Sequence, residues 1–330
     1  AKIQTKIIDA MNRPAERLSW HRYQSLFVNP ASINGGIQFL KQHAQILATA
    51  EERFGVPAEI IVAIIGIETR YGKVMGSLRV LDSLVTLSVE YPRRSKFFSS
   101  ELEHFMQLVA EQGLDPLAIK GSYAGAMGYG QFMPSSYRAY AQSYEGDGAP
   151  DIWDNPADAI ASVGNYLQVH GWRSGDKVVI DGIADDPDPA VFEGGLKPKK
   201  TVAALALEGL ESSEPLDPAG LATPLRLEEE DGLRYWLRLQ NFYVITRYNH
   251  SAMYAMAVWE LSQAIAAARE HAAMSQSDMA KRLGVKVSTL RKWEQDLSEP
   301  RANRLSMMAG LLNVSIMWLL NAEGEGISGP

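Results

Sequence analysis

The chain has 330 residues, of which 46% are hydrophobic and 22% charged, a composition typical of a globular protein with room for two or more domains. Its net charge of −7 argues against a protein covered throughout by nucleic acid, although a small basic module would be compatible with it. The absence of cysteine fits both the cytosol and the periplasm. We expect no transmembrane segment, since no apolar run approaches ~20 residues, and no signal peptide, since the chain begins Ala-Lys-Ile-Gln.

The first 172 residues are predicted to be mostly helical, because apolar residues recur there at helical spacing between tight turns. We expect helices at residues 36–54, 58–72, 97–112 and 157–170. From residue 175 to about 239, glycine, proline and aspartate become frequent, and short apolar runs predict a small β-rich insert. The expected strands of this insert are residues 177–180, 201–207, 225–228 and 235–239.

Helix returns after the insert and is predicted to run without a break from residue 253 to residue 273. Short helices are expected beyond it, separated by Gly284, Pro300 and Asn313. They are residues 277–283, 288–296, 304–312 and 316–320. The predicted fold is therefore mainly α with a small β component.

Glu68 lies at the end of an apolar segment that is predicted to be helical. Pro57 can begin this helix, and Gly72 can end it. At helical spacing it shares a face with three isoleucines, Ile61, Ile64 and Ile65. Poor solvation disfavours the charged carboxylate and should raise its pKa, as a general acid near neutral pH requires. The alternative is a helix-end glutamate that reaches water or pairs with a nearby cation.

Residues 121–137 form a glycine-rich segment, Gly-Ser-Tyr-Ala-Gly-Ala-Met-Gly-Tyr-Gly-Gln-Phe-Met-Pro-Ser-Ser-Tyr. Its four glycines allow the backbone to approach a ligand closely, and its tyrosines offer flat faces on which sugar rings can stack. A turn between two helices is the alternative interpretation.

Together, Glu-Thr-Arg-Tyr-Gly at 68–72 and this glycine-rich segment resemble the lytic transglycosylase B family of peptidoglycan-cleaving enzymes. The resemblance covers residues 1 to about 268 and includes the motifs at 91–95, 151–154, 170–172 and 244–249. It implies a lysozyme-like helical core with a helical flanking domain and a small β domain. It also implies cleavage of the β-1,4 bond between N-acetylmuramic acid and N-acetylglucosamine without water, which leaves a 1,6-anhydro end.

One carboxylate suffices for such a reaction, whereas glycosidases that use water usually need two. By the resemblance, Glu68 is the single acid and base, and Ser122 orients the acetamido group of the substrate. The residues expected to line the sugar cleft are Tyr23, Gln131, Tyr166, Asn249 and Tyr254. Arg93 and Arg94 are assigned to the carboxylates of the stem peptide, with a solvated basic turn as the alternative.

The family requires no cofactor, but the segment from Ser143 to Asp151 resembles a calcium-binding EF-hand loop. Glu145, Asp147 and Asp158 are the candidate ligands of a structural calcium ion. Ser143 replaces the usual first aspartate and Pro150 interrupts the loop, which weakens the expected site. The alternative is a turn held by bonds between side chains and backbone.

Residues 262–320 resemble the helix-turn-helix domain of the Cro/C1 repressor family, which antitoxins also contain. Residues 274–294 carry this resemblance, with Gly284 in the tight turn. The residues expected to contact DNA are Gln276, Ser288, Thr289, Arg291 and Lys292. Residues 275–304 hold seven basic and four acidic residues, a modest positive charge. A module used for packing or for forming a homodimer through Leu311, Leu312, Ile316, Met317, Trp318 and Leu319 is the alternative.

The two resemblances imply different compartments: the periplasm for the enzyme and the cytoplasm for the repressor-like module. We expect a catalytic region at 1–268 and a helix-turn-helix domain at 269–330, joined through one continuous helix without a linker. This junction favours an engineered rigid fusion, with a natural fusion left open. Two further functional alternatives remain: a scaffold in which neither activity matters, and a DNA-binding regulator that senses cell-wall fragments.

Overall fold

The computed structural model describes residues 1–12, 18–146, 148–185, 187–230, 232–272, 276–294, 298, 300–312 and 316. The helices are α1 Thr5–Met11, α2 Trp20–Phe27, α3 Pro30–Gln42, α4 Ala44–Phe54, α5 Ala58–Thr69, α6 Val80–Glu90, α7 Ser95–Gln112, α8 Pro134–Tyr140, α9 Pro156–Val169, α10 Val202–Leu207, α11 Gln240–Tyr248, α12 Ala252–Ala272, α13 Gln276–Leu283, α14 Val287–Glu294 and α15 Ala302–Leu312. The strands are β1 Leu78–Arg79, β2 Lys120–Gly121, β3 Val179–Ile183, β4 Lys200–Thr201, β5 Glu211–Ser212, β6 Leu221–Glu229 and β7 Gly232–Arg238. The mainly α fold with a small sheet is confirmed.

Helix α5 is the centre of the main core. Its sequence is apolar on every side, which predicts a helix surrounded by other elements, and residues 60–65 are almost completely buried. Helices α3, α4, α9 and α12 pack around it. The helix ends at Thr69, three residues before the predicted end, because Arg70 and Tyr71 adopt positive φ angles of 51° and 61°. This early turn leaves Glu68 in the last turn of a buried helix.

The predicted helix at residues 36–54 is in fact two helices. His43, with φ −116° and ψ 25°, separates α3 from α4. Each helix buries its own apolar face, with Phe39 and Leu40 on α3 and Leu47 and Phe54 on α4. The apolar spacing continues across the turn, so the sequence pattern gave no sign of the break.

The β insert is an antiparallel sheet with strand order β4-β6-β7-β3-β5 around its own small core. The strand predicted at residues 201–207 is wrong beyond Thr201, because residues 202–207 form helix α10. The Thr201 hydroxyl accepts the amide of Ala204 at 3.1 Å and caps this helix. The following Val-Ala-Ala-Leu-Ala-Leu run contains three alanines, the residue with the highest helix propensity.

Helix α12 runs without interruption through the predicted junction. Its residues Leu261, Ala264, Ile265 and Ala268 belong to the main core. Beyond it, α13, α14 and α15 surround a separate core of Ala280, Leu283 and Leu290. Of the helix predicted at 316–320, only Ile316 is among the described residues. The side chains of the other residues proposed for dimer formation also lie outside them.

Glu101 ties α7 to the end of the glycine-rich segment. This buried carboxylate accepts the Ser135 amide at 2.9 Å and the Ser135 hydroxyl at 2.6 Å, in the first turn of α8. Because α8 begins at Pro134, the contact fixes the point where the glycine-rich segment becomes a helix.

We predict that Glu101→Ala destabilises the protein by about 1–3 kcal/mol, because the amide and hydroxyl of Ser135 lose their acceptors. The expected fall in Tm is about 2–6 °C, measured by thermal denaturation followed by circular dichroism. Glu103→Ala, on the exposed side of the same helix, is the matched control and should change Tm little. Equal Tm values for the two variants would contradict this role of Glu101.

Candidate active site

The carboxyl group of Glu68 lies in an apolar enclosure at the end of α5. Ile61, Ile64 and Ile65, on the same helix face, are completely buried. The Glu68 side chain as a whole keeps a partial opening to solvent, while its carboxyl group is deeply enclosed. Burial raises the pKa of Glu68 to about 7, so protonated and ionised forms coexist near neutral pH.

Tyr254, on the first turns of α12, is the hydrogen-bond partner of Glu68. Its buried hydroxyl donates to Glu68 Oε1 at 2.6 Å. This bond favours the ionised carboxylate and lowers the pKa of Glu68, but burial is the larger effect. Burial and the charge of Glu68 raise the pKa of Tyr254 well above its ordinary value, so this hydroxyl remains a donor.

Two further tyrosines lie beside this pair, Tyr248 near Glu68 and Tyr23 near Tyr254. The charge of Glu68 contributes, after burial, to a raised pKa of Tyr248, whose hydroxyl donates to the Gly130 carbonyl at 2.5 Å. Tyr23 is buried on α2, close enough to Tyr254 to raise its pKa. Sequence reasoning missed Tyr248, although it lies in the motif at 244–249 from which Asn249 was selected.

The glycine-rich segment is joined to the end of α5 by Thr69. The Thr69 hydroxyl donates to the Tyr129 carbonyl at 2.9 Å and accepts the Gly72 amide at 3.0 Å. Gly128 has a φ of 68°, and a Cβ there would lie 2.4 Å from the Ile152 carbonyl oxygen. Only glycine fits at this position. Close packing of the backbone therefore explains part of the glycine content of this segment.

Gln131 lies on the same loop in a left-handed conformation, with a φ of 51°. Its Nε2 donates to the carbonyls of Gly128 at 3.0 Å and Met75 at 3.3 Å. The side-chain oxygen is therefore the group that Gln131 can offer to a ligand. A non-glycine residue with this backbone costs free energy, and such residues are concentrated at functional sites.

Ser122 stands at the beginning of the glycine-rich segment, half-buried. Its Oγ accepts the Ala126 amide at 3.1 Å, and its carbonyl accepts the Ser83 hydroxyl at 3.2 Å. These two bonds hold both the oxygen of the side chain and the backbone in place.

Helix α2, which carries Tyr23, is held by two carboxylates from other elements. The Trp20 indole donates to Glu229 Oε1 at 2.9 Å, and Gln24 Nε2 donates to Glu260 Oε2 at 2.6 Å. Burial raises the pKa of Glu260 to about 7, and the charge of Glu229 adds to the increase. Glu260 lies on α12, six residues after Tyr254, so α12 carries Tyr254 and also holds the helix that carries Tyr23. No pattern in the sequence indicates this contact.

The other cleft candidates occupy different positions. The Tyr166 hydroxyl donates to the Arg247 carbonyl at 2.6 Å, and its ring stacks on His170, so this buried tyrosine joins α9 to α11. Asn249 is half-buried at the end of α11. Arg93 and Arg94 are exposed on a 3-10 turn at 92–94 and do not join the buried group around Glu68.

The loop proposed to bind calcium is held by Asp158. This buried carboxylate accepts the Tyr144 amide at 2.8 Å and the Asp151 amide at 2.7 Å, one on each oxygen. Glu145 is exposed and Asp147 lies outside the described residues. No group of three acidic or histidine side chains suited to a metal occurs in the described part of the chain. Asp158 therefore holds this turn by side-chain to backbone bonds, and the calcium site stays a prediction.

The residues predicted to contact DNA lie on α13 and α14. Ser288 and Lys292 are exposed on α14, and Thr289 is half-buried. The side chains of Gln276 and Arg291 lie outside the described residues. Leu290 is completely buried in the small core, so α14 presents its polar face to solvent.

We predict that Tyr254→Phe raises the pKa of Glu68 above about 7, because the variant loses the bond that stabilises the ionised carboxylate. The measurement is a pH titration of ¹³C-labelled glutamate carboxyl groups by NMR, with Glu68→Gln used to assign the signal. Tyr243→Phe, on α11, is the matched control and should leave the titration unchanged. A lower pKa in Tyr254→Phe would contradict the role of this hydrogen bond.

None of the described helices is both long and apolar enough to cross a bilayer. The family model described as the transglycosylase SLT domain matches residues 1–263. The membrane-bound lytic murein transglycosylase B of Escherichia coli (strain K12) is 50% identical over 251 residues, which cover 76% of this chain and 68% of that protein.

Solved structures of lytic transglycosylases are also similar to this chain. Soluble lytic transglycosylase SltB1 from Pseudomonas aeruginosa is 47% identical with a TM-score of 0.78, covering 82% of this chain and 91% of that chain. Escherichia coli Slt35 in complex with calcium is also 47% identical, with a TM-score of 0.75 and coverages of 82% and 85%. SltB3 from Pseudomonas aeruginosa, in complex with NAG-anhNAM-pentapeptide, is 26% identical, with a TM-score of 0.71 and coverages of 88% and 92%.

A second family model, described as helix-turn-helix, matches residues 265–319. The two matched regions therefore meet inside α12, one residue apart. The lysozyme-like transglycosylase fold and the helix-turn-helix module are both confirmed, and no cofactor is implied by the family. With its enclosed glutamate and its glycine-rich loop, the chain belongs to the transglycosylase SLT domain family and is a lytic transglycosylase that carries a C-terminal helix-turn-helix module.

Proposed function

We propose that Glu68 is the single acid and base with which the enzyme cleaves the β-1,4 bond between N-acetylmuramic acid and N-acetylglucosamine. The observation that carries this proposal is the enclosed Glu68 carboxyl, bonded to Tyr254 at 2.6 Å and with its pKa raised to about 7. Among the described residues, no second carboxylate contributes to this pKa, whose causes are burial and Tyr254. A single titrating carboxyl suits a reaction without a water nucleophile.

The proposed reaction has two proton transfers through one group. Protonated Glu68 donates its proton to the glycosidic oxygen as the bond from that oxygen to the anomeric carbon of muramic acid breaks. The ionised Glu68 then accepts the proton of the 6-hydroxyl as its oxygen bonds to the same carbon. This step closes the 1,6-anhydro ring and returns Glu68 to its protonated form. The complex of SltB3 with NAG-anhNAM-pentapeptide supports a product of this kind.

The substrate's own acetamido carbonyl is proposed to stabilise the positive anomeric carbon between these steps. Ser122 is suited to orient it, since the bond from the Ala126 amide fixes its oxygen while its hydrogen can point to an acetamido carbonyl. Tyr23, Gln131 and Asn249 are proposed to bind the sugars, with Tyr166 supporting the wall behind them. Arg93 and Arg94 remain assigned to the stem peptide at the exposed rim.

We predict that Glu68→Gln lowers kcat on purified peptidoglycan by at least 10²–10⁴-fold, because glutamine can neither donate nor accept the proton. Products of the unsubstituted enzyme should be anhydro-muropeptides, one water lighter than hydrolysis products in mass spectrometry. Glu52→Gln, an exposed glutamate on α4, is the control. Reducing-end products would contradict the single-carboxylate mechanism, and full activity of Glu68→Gln would contradict the role of Glu68.

The pH dependence follows from the same pKa. The first step needs the protonated form, which is lost as the pH rises through about 7, so kcat/KM should fall on the alkaline side of this value. Tyr254→Phe should move this alkaline limb to higher pH, because the same substitution is expected to raise the pKa of Glu68.

We also propose that the C-terminal module binds duplex DNA through α14, in the arrangement in which Ser288, Thr289, Arg291 and Lys292 face the major groove. The match of residues 265–319 to the helix-turn-helix family supports this function, and so does the exposure of Ser288 and Lys292. The catalytic region, residues 1–268, and this domain, residues 269–330, are proposed to share α12. Because peptidoglycan lies in the periplasm, the two functions would belong to different compartments.

We predict that Ser288→Glu with Lys292→Glu weakens binding to a generic DNA duplex by about 10-fold or more, because negative charge on α14 repels phosphate. Fluorescence anisotropy at low salt measures the Kd. Lys199→Glu, an exposed charge reversal in the β insert, is the control and should leave the Kd nearly unchanged. If the unsubstituted chain does not bind at low salt, the module acts only as a structural part.

A further inference from the structure

The turn that follows Glu68 has a strained backbone. Arg70 and Tyr71 have φ angles of 51° and 61°, in the left-handed region that few residues other than glycine adopt. Such residues cost free energy and persist only where their surroundings hold them, often at functional sites. The proposed mechanism gives neither residue a part, so the contacts that hold this turn call for a separate account.

The Tyr71 side chain anchors the turn on one side. Its hydroxyl donates to the Ser32 carbonyl of α3 at 2.6 Å. It also packs against three glycines, because a Cβ at Gly35, Gly36 or Gly66 would lie only 2.5, 3.0 or 2.6 Å from its atoms. The turn is therefore held by a side chain that lies between α3 and α5.

Thr69 holds the turn on the other side. Its buried hydroxyl accepts the Gly72 amide at 3.0 Å and donates to the Tyr129 carbonyl at 2.9 Å. The Ile65 carbonyl is a second acceptor at 3.1 Å, and it already receives the Tyr71 amide at 3.3 Å. One hydroxyl therefore connects the end of α5, the turn after it and the glycine-rich loop.

The tip of the glycine-rich loop, residues 128–131, is docked on the segment that follows α5. Gln131 Nε2 donates to the Met75 carbonyl at 3.3 Å. A Cβ at Gly72 would lie 2.1 Å from the Tyr129 ring, so this ring packs directly on the turn. The position of Gln131 therefore depends on how the loop tip is fastened to the end of α5.

We propose that Thr69 is a positioning residue for the reaction, which sets the distance between the Glu68 carboxyl and the side-chain oxygen of Gln131. Thr69 follows Glu68 directly in the last turn of α5, and its hydroxyl binds the loop tip that carries Gln131. The inference rests on the proposed function, since it uses the roles proposed for these two residues. A general acid must lie within hydrogen-bond reach of the glycosidic oxygen while the sugar is held, so a small displacement between them is costly.

The test compares two substitutions of Thr69. Valine has the shape of threonine but can neither donate nor accept a hydrogen bond, whereas serine keeps the hydroxyl. We expect Thr69→Val to lower kcat/KM on purified peptidoglycan by about 10–100-fold, and Thr69→Ser to recover most of this loss. Thr49→Val is the matched control and should leave kcat/KM unchanged, because the Thr49 hydroxyl bonds only within α4, to the Gln45 carbonyl at 3.0 Å.

A double-mutant cycle with Gln131→Ala separates positioning from a general loss of stability. In the Gln131→Ala background, Thr69→Val should lower kcat/KM by less than about 3-fold, because the sugar contact that Thr69 positions is already lost. The alkaline limb of the pH profile should stay near 7 in Thr69→Val, since the enclosure of Glu68 is unchanged. If Thr69→Val does not fold, Thr69→Cys, whose thiol is a weak donor, is used in the same cycle.

Several results would overturn the inference. Equal kcat/KM for Thr69→Val and the unsubstituted enzyme means that the bond has no part in the reaction. Equal losses in both backgrounds of the cycle, or a shifted alkaline limb, mean that Thr69 does not act through the loop tip. In these cases anhydro products still form, so the proposed function stands. If the unsubstituted enzyme forms no anhydro products, the proposed function fails and this inference fails with it.

Discussion

The enclosure of the Glu68 carboxyl between two packed helices is the constraint on which the rest of the site depends. Helix α5 holds the carboxyl in an apolar environment, where burial raises its pKa to about 7. Helix α12 supplies the Tyr254 hydroxyl that bonds to this carboxyl. The two effects oppose each other, and their balance keeps the group able to give up and regain a proton near neutral pH. Any change that separates α5 from α12 would therefore also change the pKa of Glu68.

The surrounding elements hold α5 and α12 in their relative positions. Thr69 joins α5 to the glycine-rich loop, Tyr248 joins the loop to α11, and Glu260 joins α12 to α2, which carries Tyr23. The loop reaches this position only because Gly128 allows the backbone to pass close to Ile152. Each contact is made by side chains from parts of the chain that are far apart in sequence, so the site is a property of the assembled core.

Helix α12 serves both halves of the molecule. Its first turns carry Tyr254, and its later residues Ala264, Ile265 and Ala268 pack in the enzyme core although the helix-turn-helix match begins at residue 265. The small core of α13–α15 then forms without a contribution from the described residues of α12. At the far end of the contact between α5 and α12, Arg269 pairs with Glu59 at 2.9 Å. The end of the enzyme and the beginning of the second module are thus one element.

The motifs of the sequence identified the family and, through it, predicted Glu68 as the acid and base; the face that Glu68 shares with three isoleucines predicted the burial that raises its pKa. The sequence by itself also determined the mainly α fold and the continuous helix at the junction, both of which follow from local apolar spacing. Only the tertiary structure decided that residues 202–207 form a helix, that Tyr248 and Glu260 support the site, and that Asp158 binds backbone amides. These features depend on contacts between segments that are distant in the sequence. Local periodicity indicates which face of a segment is buried, but it does not indicate which other segment covers that face.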